Sequence, residues 1–265
     1  MSLKIGQALE DGIQRSTTRV ALPFVVLAFV FQALASASAS TYVARLLQGR
    51  DLPQGMSVAD LTSGPVLPIG LGGVALLYVL LAVGFVFVYI ALFRAFVDDV
   101  DALTADLFTR RALGAFAHYV LFGVIFFFIA LVNVVPVLGQ IVFIFLVTAL
   151  WFAPLRIAAE DDGAITALKQ SWSLTSGNRL RLFGLGFVYA LVAGIANAVA
   201  GGIFGLVPYV GFLGTALVSG YFTVLSIATT VAAYEQLTGD DAPAVDENGD
   251  DDAGGVTPQP TAVDS

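Results

Sequence analysis

The sequence predicts an all-α, polytopic membrane protein built as a bundle of six transmembrane helices. Three observations predict it. Only 12% of the 265 residues are charged and 58% are hydrophobic, with a mean hydropathy of +0.88, whereas a soluble domain carries about 25% charged residues. Six apolar runs reach the roughly 20 residues that a helix needs to cross a bilayer. The basic residues fall unevenly on the connections between those runs.

Lys4 to Arg19 is a weakly amphipathic segment, with Ile5, Leu9 and Ile13 at helical spacing. Val20 to Ala44 is the first span. A-S-A-S-A at Ala35 to Ala39 resembles a signal-peptide cleavage site, but the long leader with Glu10 and Asp11 argues against one. Arg45 to Pro65 is a polar loop, and Val66 to Val97 is a second span long enough to tilt. Asp98 to Arg111 is amphipathic, with Val100, Leu103 and Leu107 on one face. Leu113 to Val134 and Val137 to Ala158 are the third and fourth spans, joined by the charge-free turn N-V-V-P-V-L-G. Leu180 to Gly202 and Tyr209 to Tyr234 are the fifth and sixth, joined by G-L-V-P-Y-V-G. Residues 1–238 thus form the membrane domain. Residues 239–265 form an acidic tail that composition predicts to be disordered, with eight acids and no base. The rest of the chain is formally neutral.

Ala164 to Leu185 differs from everything around it. It mixes Lys, Arg, Trp, Ser, Thr and Asn in an otherwise apolar chain. Asp161 and Asp162 can cap a helix start. Ile165, Leu168 and Trp172 lie on one helical face, and Gly177 and Asn178 read as its stop. Arg179 and Arg181 follow, and a span begins at once. This order predicts an interfacial helix anchored by Trp172, Arg179 and Arg181, with the two arginines facing lipid phosphates or the carboxylates of Glu160, Asp161 and Asp162. Arg110 and Arg111 are the matching anchors before span three.

The sequence also allows a threefold repeat of an amphipathic segment, a basic pair and two spans. The pairs are Arg15 with Arg19, Arg110 with Arg111, and Arg179 with Arg181. Two turns share V-P-x-x-G. Arg94 precedes Asp98, and Arg156 precedes Glu160, each by the four residues that bring side chains together on a helix. Units with an even number of spans share one orientation. Ten basic residues then lie on one side and only Arg45 and Arg50 on the other, which predicts both termini in the cytoplasm of a multi-pass cell-membrane protein.

Chemistry is sparse. There is no cysteine, and His118 is the only histidine. No phosphate loop or hydrolase motif is present, no cofactor or metal site is expected, and nothing points to nucleic acid. Gln32, Asn133, Gln140 and Asn197 are the polar residues in or beside spans, and interhelical hydrogen bonding accounts for them. Gly194, Ala198 and Gly202 form a small-residue stripe for helix packing, as do Ser36 with Ser40 and Ala216 with Gly220. Such stripes suit a bundle or a homo-oligomer. The low lysine content, the acidity and the lack of cysteine are similar to those of halophilic archaeal proteins.

The pattern A-x-x-x-S-W-x-L-T-x-G-N-x-x-R-x-F-G-L, from Ala167 to Leu185, resembles the membrane domain joined to some glycerophosphodiester phosphodiesterases. It is similar also to that domain's stand-alone six-span relatives in bacteria and halophilic archaea. The resemblance implies a helical membrane domain. It does not carry the enzyme activity, because the catalytic barrel with its His and acidic metal ligands is missing from this chain. Three functions compete: a non-enzymatic scaffold or lipid-associated domain with membrane lipids or a membrane protein as partner, a transporter of a neutral or lipid-like substrate, and a membrane-embedded enzyme acting on lipid headgroups.

Overall fold

The computed structural model describes residues 3–50, 57, 61–62, 64–204 and 210–239. Among the described residues the regular structure is helical throughout, and six helices are long and apolar enough to cross a membrane. The chain is an all-α, multi-pass membrane protein. In chain order the helices are α1 (Ile5–Ser16), α2 (Ala21–Leu47), α3 (Leu71–Val97), α4 (Asp106–Thr109), α5 (Ala112–Ala130), α6 (Leu138–Ala149), α7 (Ala153–Ala159), α8 (Ala164–Leu174), α9 (Arg179–Phe204) and α10 (Val210–Thr238). The spans are α2, α3, α5 with the 3-10 turn Leu131–Val134, α6 with α7, α9 and α10. The second span starts at Leu71 rather than Val66, because Pro65, Pro68 and Gly70 keep the chain extended until Gly70 caps the helix.

The last span is the centre of the bundle: α10 packs against α1, α2, α3 and α9. Small residues let it do so. A Cβ placed on Gly220 would lie 2.7 Å from the backbone nitrogen of Phe29, so α2 and α10 approach almost backbone to backbone. Ala216 and Gly220, which the sequence marks as a packing stripe, are buried there. In the turn between α5 and α6, a Cβ on Gly139 would collide with the Val132 carbonyl oxygen, which only glycine avoids.

The stripe Gly194, Ala198 and Gly202 is not packed against another helix among the described residues. All three residues are exposed, and a Cβ on Gly194 or Gly202 would meet nothing within 4 Å. Gly194 is nine residues, or two and a half turns, beyond the buried Leu185 and therefore faces the other way. The contacts of α9 include Gly186 against Trp151, the Tyr189 hydroxyl donating to Phe222 O, and Asn197, whose Oδ1 accepts from Ser219 Oγ at 2.8 Å.

The three amphipathic segments have three outcomes. α1 is docked on α10: Lys4 N–H donates to Gln236 Oε1 (3.0 Å), Gly12 lies against Thr229, and Ser16 Oγ is 3.3 Å from the Tyr221 hydroxyl. Asp98 to Arg111 is not one helix. Asp99 takes a left-handed φ of 44°, which ends α3, and only Asp106–Thr109 is helical. α8 forms, but with an unexpected inner face. Ala164, Ala167 and Ser171 are buried, while Ile165 and Trp172 of the large apolar face point outward. Residues 205–209 of the second V-P-x-x-G turn and the tail from residue 240 lie outside the described residues.

Candidate functional site

The chemistry gathers at the end of the bundle where α3, α7 and α10 finish and α9 begins. Its geometry depends on a break in the fourth span. Pro154 lacks an N–H, and its ring is incompatible with a helical carbonyl four residues back, so α6 stops at Ala149 and α7 restarts at Ala153. The break frees the Ala149 carbonyl and the Phe152 N–H. The motif S-W-x-L-T closes both. Ser171 Oγ accepts from Phe152 N–H and donates to Ala149 O, each at 3.1 Å, and Thr175 Oγ1 donates to the same carbonyl at 3.1 Å. Ser171 and Thr175 are one turn apart on α8, which explains their spacing. An unpaired peptide group in a membrane costs several kcal/mol, roughly, so this contact ties α8 to the broken span.

Two sets of basic residues lie on either side of that break. The first is paired with acids. Arg94 is 0% exposed. Its Nε donates to Ala158 O at 2.7 Å, Nη1 to Leu107 O at 3.1 Å, and Nη2 to Asp161 Oδ1 at 3.4 Å. Asp98, the partner that spacing suggests, bonds Arg110 instead at 3.2 Å. The reason is the helix end: Asp98 is the C-cap of α3, whereas Asp161 and the open carbonyls of Ala158 and Leu107 converge on Arg94 from two other segments. Arg111, itself left-handed with φ 43°, reaches Asp161 at 3.8 Å. Arg156 does make the spaced pair, to Glu160 Oε2 at 2.5 Å, and also bonds Asp162 at 2.9 Å and the Tyr234 hydroxyl at 2.6 Å. Tyr234 in turn donates to Glu160 Oε1. Arg15 holds Glu235 through two bonds, of 2.9 and 2.5 Å, and donates to Phe96 O. Asp161 and Asp162 thus serve as ion-pair partners rather than caps, and the N-cap of α8 is Gly163.

The helix ends of α3 and α7 do share a backbone. Asp99 and Asp161 stand five residues after Arg94 and Arg156, and both are left-handed, at φ 44° and 56°. This is the part of the proposed repeat that the described residues carry. Tyr234 and Glu235 were not singled out as partners by sequence. The available signal was an acid and a phenol closing the last span at the end that collects the arginines.

The second set has no acid among the described residues. Trp172 is 42% exposed and meets Phe145 of α6 edge to face, with centroids 5.7 Å apart. The Arg179 guanidinium sits over both rings, 4.3 Å from the Trp172 centroid and 4.9 Å from that of Phe145. Arg179 Nη2 donates to Trp172 O at 3.3 Å, and its Nε has no partner among the described residues. Arg181 Nη1 donates to Leu3 O at 3.3 Å. Among the described residues neither Arg179 nor Arg181 pairs with a carboxylate.

His118 is exposed beside Gly163. Among the described residues no group of three His, Cys, Asp or Glu could hold a metal ion. Asn197 makes the interhelical bond given above, and Asn133 Nδ2 donates to Ala130 O within its own turn.

The fold and this charged end define a six-span helical membrane protein with two basic corners, one paired with acids and one that meets none among the described residues. The chain belongs to the family described as a domain of unknown function, DUF7847, whose model matches residues 3–237. No curated protein and no solved structure matches it.

Proposed function

We propose that the chain is a non-enzymatic, lipid-associated membrane domain whose Trp172–Arg179–Arg181 corner holds anionic lipid headgroups at the cytoplasmic face. One observation carries the reading: Arg179 is fixed on two aromatic rings and meets no acid among the described residues, while Arg15, Arg94, Arg110 and Arg156 at the end of α3, α7 and α10 are paired. A guanidinium suits a phosphate because its donors are planar and permanently charged. An aromatic ring beside it sits well at headgroup depth. The resemblance to the membrane domain of glycerophosphodiester phosphodiesterases supports a lipid setting. The engagement of Glu160, Asp161 and Asp162 in ion pairs supports a binding rather than a catalytic role. The excess of basic residues supports cytoplasmic termini, checked by labelling cysteines placed at Ser2 and Gly55 from each side of the membrane. Outside labelling at position 2, or inside labelling at 55, would refute the orientation.

The lipid test is native mass spectrometry of the purified protein with phosphatidylglycerol and phosphatidylcholine. The wild type retains phosphatidylglycerol preferentially, and an Arg179→Gln/Arg181→Gln variant loses that preference. Equal retention by both proteins would sink the reading.

A further inference from the structure

The bundle carries a second feature, away from the charged corner. A cleft of about 610 Å³ runs between the α3–α5–α6 wall and the α9–α10 wall. That is the size of a ligand pocket. α5 and α9 make no packed interface with each other, so the cleft is open on that side. Tyr119 lies seven residues into α5 and Asn197 eighteen residues into α9, two positions about 17 Å apart in depth at 1.5 Å per residue. The lining therefore falls within the part of the chain that crosses the membrane.

Its chemistry is specific. Among the described residues no acid or base lines it. The hydroxyls of Tyr89 and Tyr119, whose rings meet edge to face at 6.0 Å, bond to no other described residue. They are donors without an acceptor, which is unfavourable in hydrocarbon. The opposite wall is complementary. Ser219, Thr223 and Ser226 spend their protons on Asn197 Oδ1, Ser219 O and Thr223 O, at 2.8, 2.9 and 2.8 Å. Their oxygens keep only acceptor capacity. Free phenol protons thus lie on one wall and free hydroxyl acceptor oxygens on the other, where Asn197 Nδ2 also keeps one proton beyond its bond to Ala193 O.

We propose that this cleft binds an uncharged lipid whose head carries both acceptor oxygens and a free hydroxyl, as in a diacylglycerol. Carbonyl oxygens of the head take the Tyr89 and Tyr119 protons, its hydroxyl donates to the Ser219–Ser226 wall, and its chains leave through the gap between α5 and α9. A charged head is excluded, because nothing in the lining would pair with it. The proposal shares with the preceding one only that the protein works among lipids. It concerns other residues and a lipid of opposite character, so either can fail alone.

Trp151 lines the cleft and Trp172 does not, and these are the two tryptophans of the chain. The experiment titrates the full chain, in phosphatidylcholine nanodiscs, with diacylglycerol brominated on its acyl chains, bromine being a contact quencher of indole. Phosphatidylglycerol with the same brominated chains is the charged control. The diacylglycerol quenches saturably at low mole fraction, the control quenches far less, and the saturable part disappears in Trp151→Phe. Tyr89→Phe/Tyr119→Phe raises half-saturation about fivefold or more, the effect of two lost hydrogen bonds, while the thermal midpoint stays unchanged. If the double variant does not fold, Tyr119→Phe alone gives the same readout with a smaller shift. Equal quenching by both lipids, or no effect of removing the hydroxyls, would overturn the assignment and leave an open groove filled by bulk lipid.

Discussion

Two arginine clusters share one end of this bundle and are held by opposite means. Around Arg94 and Arg156 the guanidiniums are satisfied by carboxylates, backbone carbonyls and a phenol, and Arg94 has no contact with solvent. Around Arg179 and Arg181 the charge rests on aromatic faces and single carbonyls. The first cluster joins α3, α4, α7 and α10 and spends its charge on the fold. The second leaves its charge available at a helix start. The difference shows that a basic residue near a membrane surface cannot be assigned to lipid or to structure by position alone. What decides is whether an acid reaches it.

The comparison breaks most readily at Arg94. Arg94→Leu leaves the Ala158 and Leu107 carbonyls without their donor and Asp161 with only its longer pair to Arg111, and orphaned buried acceptors cost about 1–3 kcal/mol each. The thermal midpoint in detergent should fall sharply. A loss no larger than that of Arg179→Gln would erase the distinction. Next is the link between the clusters. Ser171→Ala with Thr175→Val reopens the broken span and costs roughly 2–3 kcal/mol, as two or three hydrogen bonds. It should also speed amide exchange at Phe152, and unchanged exchange there would contradict the assigned role. Tyr234→Phe removes the hydroxyl between Arg156 and Glu160, for about 1–2 kcal/mol. Urea or heat denaturation reads it.

The smallest stability effects belong to the acid-free corner. Trp172→Ala removes the ring under Arg179 and its edge-to-face packing on Phe145, the latter worth about 0.5–1.5 kcal/mol and insensitive to salt. Arg179→Gln/Arg181→Gln should cost no more, and near 1 M salt, where the Debye length is about 3 Å, the double variant and the wild type should converge. Trp172→Ala should keep its deficit in salt. A double arginine variant that loses more than Trp172→Ala at high salt would reverse the account.

Six spans were legible because length and apolarity alone define them. Partners were less so. Arg156 meets Glu160 as its spacing predicts, but Arg94 does not meet Asp98, because the i to i+4 rule holds only while the helix continues and α3 ends there. The face of α8 was legible but its sense was not. In a soluble protein Ile165, Leu168 and Trp172 would point to the core. In a membrane the large residues can face lipid while Ala164, Ala167 and Ser171 allow close packing. The same inversion leaves Gly194, Ala198 and Gly202 on an open face of α9. The cleft was hidden for another reason: its polar groups come from separate helices, and only Asn197 stood out in the sequence.

The broken span also sets an order of events during synthesis. The Ala149 carbonyl closes on residues 22 and 26 positions downstream. When the fourth span leaves the ribosome, that closure does not yet exist. At about 5–20 residues per second, the missing partners follow one to several seconds later, roughly. Through that interval the span has a peptide oxygen that hydrocarbon cannot solvate. The insertion machinery, or water at the membrane surface, must shelter it until α8 arrives. A ribosome stalled before Ser171 should therefore leave the fourth span in the translocon, and one stalled well beyond Thr175 should release it.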